Sequence, residues 1–351
     1  MVIVPFNDIF NTTDFVSLLR SQVTYFDGHA NADCHICLGG QTSDNAANRN
    51  QKLRFDDSVA VVQENIIYDA RLRNASACSN GQEIRVTGGD AVDGTTGDVT
   101  PSERIYKVNE DLTTTALSNN TIHAPSGYNL KQVGHSMVSD LIDCYMVGGH
   151  SSENVNNTDV AVKYIIRFRW DDTISPINDG MELNQTSGFS CCGHNGKEGI
   201  IWRSEGGGAA TTTAELFQPH RGMNNASRLK AELSTTFPEC AGMSACSSGD
   251  AAFRCDGYDV TSGTEVTTIR SLRFDDITTA LQMTNTLAYR MRQQFTASSG
   301  TEMMCVGGRS DADSISFSTQ AQRIRFDDTA SAIQHTNEIN LGVRTGACVS
   351  I

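Results

Sequence analysis

An all-β ring of repeated four-stranded sheets, a single β-propeller spanning residues 1–351, is the fold this chain predicts. Three recurring markers predict it. They are an apolar strand running into paired glycines, a strand ending in an aromatic residue and aspartate, and a short strand of small residues.

The glycine marker is the most regular. It reads CHICLGG to Gly39 and Gly40, EIRVTGG to Gly88 and Gly89, DCYMVGG to Gly148 and Gly149, and EMMCVGG to Gly307 and Gly308. Weaker copies are IIWRSEGG to Gly207 and AAFRCDG to Gly257. The second glycines stand at 40, 89, 149, 207, 257 and 308, giving steps of 49, 60, 58, 50 and 51. Glycine lets the chain leave the strand with positive φ, which costs other residues a steric clash.

The aromatic marker follows. KLRFDD holds Phe55, Asp56 and Asp57, SLRFDD holds Phe274, Asp275 and Asp276, and RIRFDD holds Phe326, Asp327 and Asp328. FRWDD holds Trp170, Asp171 and Asp172, with degenerate copies around Tyr106 and Phe217. Near the N-terminus IVPFNDIF fits the same slot with Phe6, Asn7 and Asp8.

The third marker precedes the glycines, as in NASACSNG, VGHSMVSD, GFSCCGHNG, GMSACSSGD and QFTASSG, and returns as GACVSI at the C-terminus. Small side chains suit the strand nearest the axis, where neighbours crowd. Short apolar runs suit middle strands covered on both faces. Six glycine markers give six complete repeats. A seventh, closing blade is expected from residues about 1–19 and 341–351, one strand short, and either open to strand addition from another chain or capped by its own loops. A helix is expected only around SRLKAELST.

These repeats resemble the kelch repeat, and more closely the degenerate kelch-like repeats of virion structural proteins of tailed bacteriophages. The resemblance covers essentially the whole chain. It implies a virion structural protein, a tail, fibre or surface decoration component assembled in the host cytoplasm. Its implied partners are other virion proteins, copies of itself, and a host-surface receptor or glycan. The copies around Gly207 and Phe217 depart from the pattern.

The Asp pairs invite a Ca²⁺ or acid–base reading. A catalytic pair is needed once, however, and these recur blade by blade. An Asp after a strand starts a turn by accepting from its own downstream backbone, so the pairs are read as punctuation. The 11 cysteines are an odd count, so one at least cannot pair within the chain. In an extended strand Cys34 and Cys37 point to opposite faces, wrong for gripping one ion, and CCGH at Cys191, Cys192 and His194 is weighed against the same bland reading. Cys78, Cys192, Cys246 and Cys348 fill equivalent small-residue slots and are expected to be buried free thiols. GGGAATTTAE lacks the Gly-Lys-Ser/Thr ending of a phosphate cradle. No residue is assigned to catalysis or to a metal, and no cofactor is expected.

Charge narrows the partners. The chain has 27 basic and 41 acidic residues, net −14, which repels a phosphate backbone, so nucleic acid is not expected. No apolar run approaches membrane-helix length, and the opening MVIVPFNDIF lacks the basic start of a secretory signal. Two classes are carried forward: a non-enzymatic binding or structural component of a virion, and a propeller enzyme of the galactose-oxidase or glycan-processing kind with chemistry in channel-mouth loops.

Overall fold

The small-residue marker becomes the innermost strand of a sheet in six places: Ser76–Ser79, Ser136–Ser139, Ser190–His194, Ser244–Ser247, Phe295–Ser298 and Ala347–Ser350. Each of these strands lies against the next, and the last lies against the first, so they close a ring. The computed structural model describes residues 34–38, 49–58, 62–65, 71–73, 75–80, 84–87, 89–92, 99–101, 104–108, 114–121, 132–140, 142–151, 160–171, 181–188, 190–203, 213–218, 227–232, 240–276, 279–316, 318–334, 336, 338 and 347–350.

Each inner strand carries a sheet outward by antiparallel pairing. Blade 1 runs Ala347–Ser350, Cys34–Leu38, Arg49–Arg54, Val62–Asn65, and blade 2 runs Ser76–Ser79, Ile84–Thr87, Arg104–Val108, Thr114–Thr121. Blade 3 is built on Ser136–Ser139, Asp143–Val147, the long strand Val160–Arg169 and Glu182–Ser187. Blade 4 follows with Ser190–His194, Gly199–Arg203, Thr213–Phe217 and Ser227–Glu232. Blade 5 comprises Ser244–Ser247, Ala251–Cys255, Ile269–Arg273 and Leu281–Gln282. Blade 6 comprises Phe295–Ser298, Glu302–Val306, Ala321–Arg325 and Ile333–Gln334. The result is an all-β propeller, with no helix among the described residues.

Two expectations need correction. The described residues make six blades rather than seven, because the C-terminal strand does not found a blade of its own. It takes the innermost slot of blade 1, pairing His35 with Ser350 and Leu38 with Ala347. CHICLGG is the one glycine marker without a copy of the small-residue marker just before it in the sequence, and the C-terminal copy supplies what is missing. That sheet therefore has all four strands, and the expected open slot is filled. The other half of the expected closing blade, with Phe6 and Asp8, lies outside the described residues. The second correction is at SRLKAELST: Ser227–Glu232 is the outer strand of blade 4, with Leu229 opposite Glu215. Pairing and packing override helix propensity there.

The core is not inside the blades but between them. Cys78 and Ile105 of blade 2 pack with Met137, Cys144, Met146 and Phe168 of blade 3. Tyr145 and Ile165 of blade 3 meet Ile201 and Phe217 of blade 4, the two rings edge to face at 5.1 Å. Trp202 and Leu216 of blade 4 cover Ala252 and Leu272 of blade 5. Phe253 and Cys255 of blade 5 cover Met303 and Ile324 of blade 6. Each large apolar side chain buried in this way contributes about 1.5–3 kcal/mol, so blades 2 to 6 depend on one another.

The repeated Phe-Asp-Asp belongs to these joints. Its aromatic ring packs backwards onto the preceding blade: Phe326 lies 4.3 Å from Phe253, and Phe274 joins the cluster around Trp202. The first Asp turns back to an arginine two residues earlier, in the pairs Arg54–Asp56, Arg273–Asp275 and Arg325–Asp327. It also caps its own turn, since Asp56 accepts from the Ser58 amide at 3.0 Å and Asp327 from the Thr329 amide at 3.1 Å. The second Asp reaches across. Asp328 accepts from the amides of Thr284 at 2.6 Å and Asn285 at 2.8 Å, in the last turn of blade 5. The turn reading holds for the first Asp of these pairs, while at Asp57 and Asp328 the second Asp is a latch between blades.

Candidate functional site

The glycine markers release each second strand towards one end of the ring. Gly89, Gly149 and Gly308 have φ of 81°, 103° and 96°, and Gly257 has 71°. At Gly308 a Cβ would stand 2.9 Å from the Arg292 carbonyl oxygen, so the backbone passes closer than any side chain allows.

Beyond these glycines the chain forms a short ribbon with the segment that leads into the same blade's inner strand. In blade 2, Asp90–Val92 pairs with Arg71–Arg73 and Val99–Pro101. In blade 3, His150–Ser151 pairs with Gln132–Val133, and in blade 5 Tyr258–Asp259 pairs with Cys240–Ala241 and Thr264–Glu265. Blade 6 repeats the arrangement with bridges Arg292 to Arg309 and Ser310 to Ile315. Together these ribbons make a collar around one mouth of the ring.

Arg292 ties two collar ribbons together. Its guanidinium lies 3.4 Å from Glu265, pairs with Asp311, and stacks 4.6 Å from the Tyr258 ring. The Asp311 amide donates to Glu265 at 3.1 Å.

Inside the collar lies a depression of about 140 Å³. Its wall comes from the entrance of the inner strand in five blades, namely residues 75–77, 135–137, 190–192, 243–245 and 294–296. None of these described lining residues is Asp, Glu, Lys or Arg. Hydroxyls stitch the inner strands across the joints. Ser136 donates to Ser190 at 2.8 Å, Thr296 to the Ala245 carbonyl at 3.0 Å, and Ser76 to the His135 carbonyl. This explains the small polar residues of the third marker more fully than crowding alone.

His135 is buried, and burial pushes its pKa down to about 3, so the ring is neutral near pH 7. The Thr87 hydroxyl lies 2.9 Å from His135 Nε2 and 3.0 Å from Met137 Sδ. His135 Nδ1 has no partner among the described residues.

The opposite end of the ring carries the turns between first and second strands. Asp140 Oδ1 accepts from the Ile142 and Asp143 amides, both at 2.8 Å. Asn195, Ser248 and Ser299 cap the equivalent turns. Tyr145 donates to Asp140 at 3.2 Å, and burial together with the Asp140 charge raises the Asp143 carboxyl above its usual range. Asp140 is a turn cap and not one half of a reactive pair.

The other sequence candidates separate in space. Cys191 faces the joint between blades 4 and 5, whereas Cys192 faces the joint between blades 3 and 4 and donates to the Met137 carbonyl at 2.9 Å. They do not converge with His194 on one point. Cys34 and Cys37 lie on a described strand, whose backbone pairs them with Arg54 and Gln51. Of the repeat markers, Phe55, Asp56, Gly89, Gly148, Gly149, Trp170, Asp171, Gly257, Phe274, Asp275, Gly307, Gly308, Phe326 and Asp327 fall on described residues, whereas Gly39, Gly40 and Gly88 do not. None of those described markers lines the depression, whose residues had no signal in the sequence beyond their position before the inner strands.

No protein-family model and no curated protein matches the chain. Among solved structures it is similar to one titled "Structure of YjhT", with 14% identity and a TM-score of 0.64 over 88% of this chain and 97% of that one. A likeness at that identity speaks for the fold alone, and the fold of this chain is a single β-propeller.

Proposed function

We propose that this chain is a non-enzymatic structural protein of a bacteriophage virion, a kelch-like propeller whose collared face docks a partner protein or a host-surface glycan. The observation that carries the reading is the collar, four blades each raising a ribbon around the same mouth while the opposite end is closed by tight turns. Structure raised on one rim around a recess is how a ring scaffold presents a binding surface. The repeat resemblance supplies the phage context. The acidic charge, net −14, supports protein or glycan over nucleic acid as the partner.

The enzyme alternative has less support at this mouth. The described lining of the depression holds no carboxylate, and glycoside hydrolysis ordinarily needs two. A mass-spectrometric inventory of purified particles of the phage encoding this chain tests the proposal. Presence at fixed copy number is the expected result, and absence from intact particles overturns it.

A further inference from the structure

The turn between the first two strands of blade 4 holds a residue pair with chemistry of its own. Asn195 is followed by Gly196, and the one other Asn-Gly in the chain is Asn80-Gly81. An asparagine side chain standing before glycine is open to attack by the next backbone nitrogen. No Cβ shields that nitrogen, and glycine takes up the backbone angles that ring closure needs.

Three features of the folded turn favour the reaction at Asn195. The amides of Lys197 and Glu198 both donate to Asn195 Oδ1, at 3.1 Å and 3.0 Å. Both partners are N–H groups, so the side-chain atom facing them is the oxygen. Backbone amides at such distances stabilise an oxygen that gains charge, and Oδ1 gains it when Cγ is attacked. The second feature is the attacking group: the Gly196 amide donates to nothing among the described residues. Access is the third. Asn195 and Gly196 are half-buried and Lys197 is exposed, so water enters the turn and ammonia leaves it. Asn80, by contrast, is only 9% exposed.

The fold also selects the product. Asp140 occupies the same place in blade 3, where its Oδ1 accepts from two amides at 2.8 Å. An aspartate in blade 4 keeps the cap and strengthens it, because a charged acceptor bonds more strongly than a neutral one. An isoaspartate would instead lengthen the backbone by one atom. That atom would fall between the His194 carbonyl, which takes the Ser247 hydroxyl of blade 5 at 2.5 Å, and the bond from the Asn195 amide to the Glu198 carbonyl is closed at 3.0 Å just beyond it.

We propose that Asn195 is a self-modifying residue, which loses its side-chain amide through the Gly196 nitrogen and ends as an aspartate capping the blade 4 turn. The Gly196 nitrogen gives up its proton and bonds to Cγ, the Cγ–Nδ2 bond breaks, and ammonia departs to leave a succinimide. Water then adds to the former side-chain carbonyl, whose oxygen the two amides hold, and the ring opens to aspartate. One water is consumed and one ammonia released.

Peptide mapping by mass spectrometry of the full chain held at pH 8 tests this, scoring asparagine, aspartate and isoaspartate at positions 195 and 80. A synthetic peptide of residues 190–203 and the guanidinium-unfolded chain serve as references. In the native chain Asn195 should convert before Asn80, with aspartate as the main product. In the peptide, where no fixed amides steer the water, the isoaspartate share should be larger. Gly196→Ala should slow the conversion severalfold, and Asn195→Asp should fold with a urea midpoint no lower than the parent's. Asn195 that stays intact in the native chain while the unfolded chain converts overturns the proposal. So does an isoaspartate share equal to the peptide's, or a lower midpoint for Asn195→Asp.

Discussion

Asp57 accepts a hydrogen bond from the backbone amide of Thr336, 279 residues away in sequence, at 2.7 Å, and its carboxylate also takes the Thr336 hydroxyl. The same contact joins Asp328 to Thr284 between blades 6 and 5. Between Asp57 and Thr336 it joins blade 1 to blade 6, where Arg323 of blade 6 adds a bond to the Phe55 carbonyl at 3.0 Å. The repeat element that marks each blade therefore also fastens the closure of the ring.

Removing that latch should be measurable. Asp57 sits at φ 58°, a conformation tolerated by Asp and Asn and freely adopted by glycine. Asp57→Ala should cost about 1–2 kcal/mol in urea unfolding, from the lost charge-assisted bonds together with the backbone strain. Asp57→Gly relieves the strain but not the loss of the carboxylate, so it should still be destabilised. A Gly variant as stable as the parent would show that the latch contributes nothing.

Gly193 interrupts an inner strand at the register where blades 2, 3, 5 and 6 have Cys78, Val138, Cys246 and Ala297. A Cβ there would stand 2.5 Å from the Cys246 carbonyl oxygen and 2.7 Å from Ala252 Cβ, both in blade 5. Gly193→Ala should lower stability by about 1–3 kcal/mol, the usual cost of overpacking. Gly249→Ala is the comparison, because its Cβ meets nothing within 4 Å and only its φ of 92° resists substitution. Thermal unfolding of the pair separates crowding from backbone strain.

Thiol titration tests the core. Burial raises Cys191 and Cys240 to about 12 and lifts Cys144 well above the usual thiol range. These three should ignore a thiol reagent at pH 8 in the native protein and react once it is denatured. The thiols of Cys78 and Cys144 lie 3.3 Å apart, and those of Cys255 and Cys305 lie 3.6 Å apart. These two pairs are where disulfide mapping should look first, and it should find them reduced.

Acid should weaken the ring from its turns inward. The hydrogen bond from Ser58 and the Arg54 guanidinium lower Asp56 from 3.8 to about 2, and Arg273 and Arg325 lower Asp275 and Asp327. Burial alone would raise Asp328, but the bonds from Thr284 and Asn285 bring it below its ordinary value. A depressed carboxyl stabilises the fold above the unfolded pKa and loses that contribution as pH falls through the folded one. The urea midpoint should therefore hold steady above pH 5 and drop between about pH 4 and pH 2. Asp143, whose pKa is raised, works in the opposite direction over a higher interval and partly offsets the change.

The blade joints were legible because each is written several times. A glycine pair, an aromatic-Asp turn and a small-residue strand recur closely enough to locate every second, third and inner strand. Blade count failed at one place, where the partner of Cys34–Leu38 lies at the far end of the chain. The collar was hidden because its strands are only two or three residues long and differ in sequence from blade to blade. Buried arginines were equally silent. Arg85 in a second strand donates to the Trp170 carbonyl at 2.7 Å, and Arg254 is enclosed with Asp256, yet both read locally as surface charges. The depression had no local signature at all, since five blades contribute three ordinary residues each to its described lining.

The strand pairing of His35 with Ser350 has a consequence for synthesis. At roughly 5–20 residues per second, the ribosome needs on the order of 15–60 s after making Cys34–Leu38 before it can supply Ala347–Ser350. Through that interval blade 1 exposes the edge of its second strand, and the unsatisfied backbone there accepts any suitable partner. On a crowded polysome the nearest such partner is the Ala347–Ser350 segment of a sister chain. Interlocked dimers, each ring closed by the other's Ala347–Ser350, are therefore the misassembly to expect, and wide spacing of ribosomes on the message guards against it.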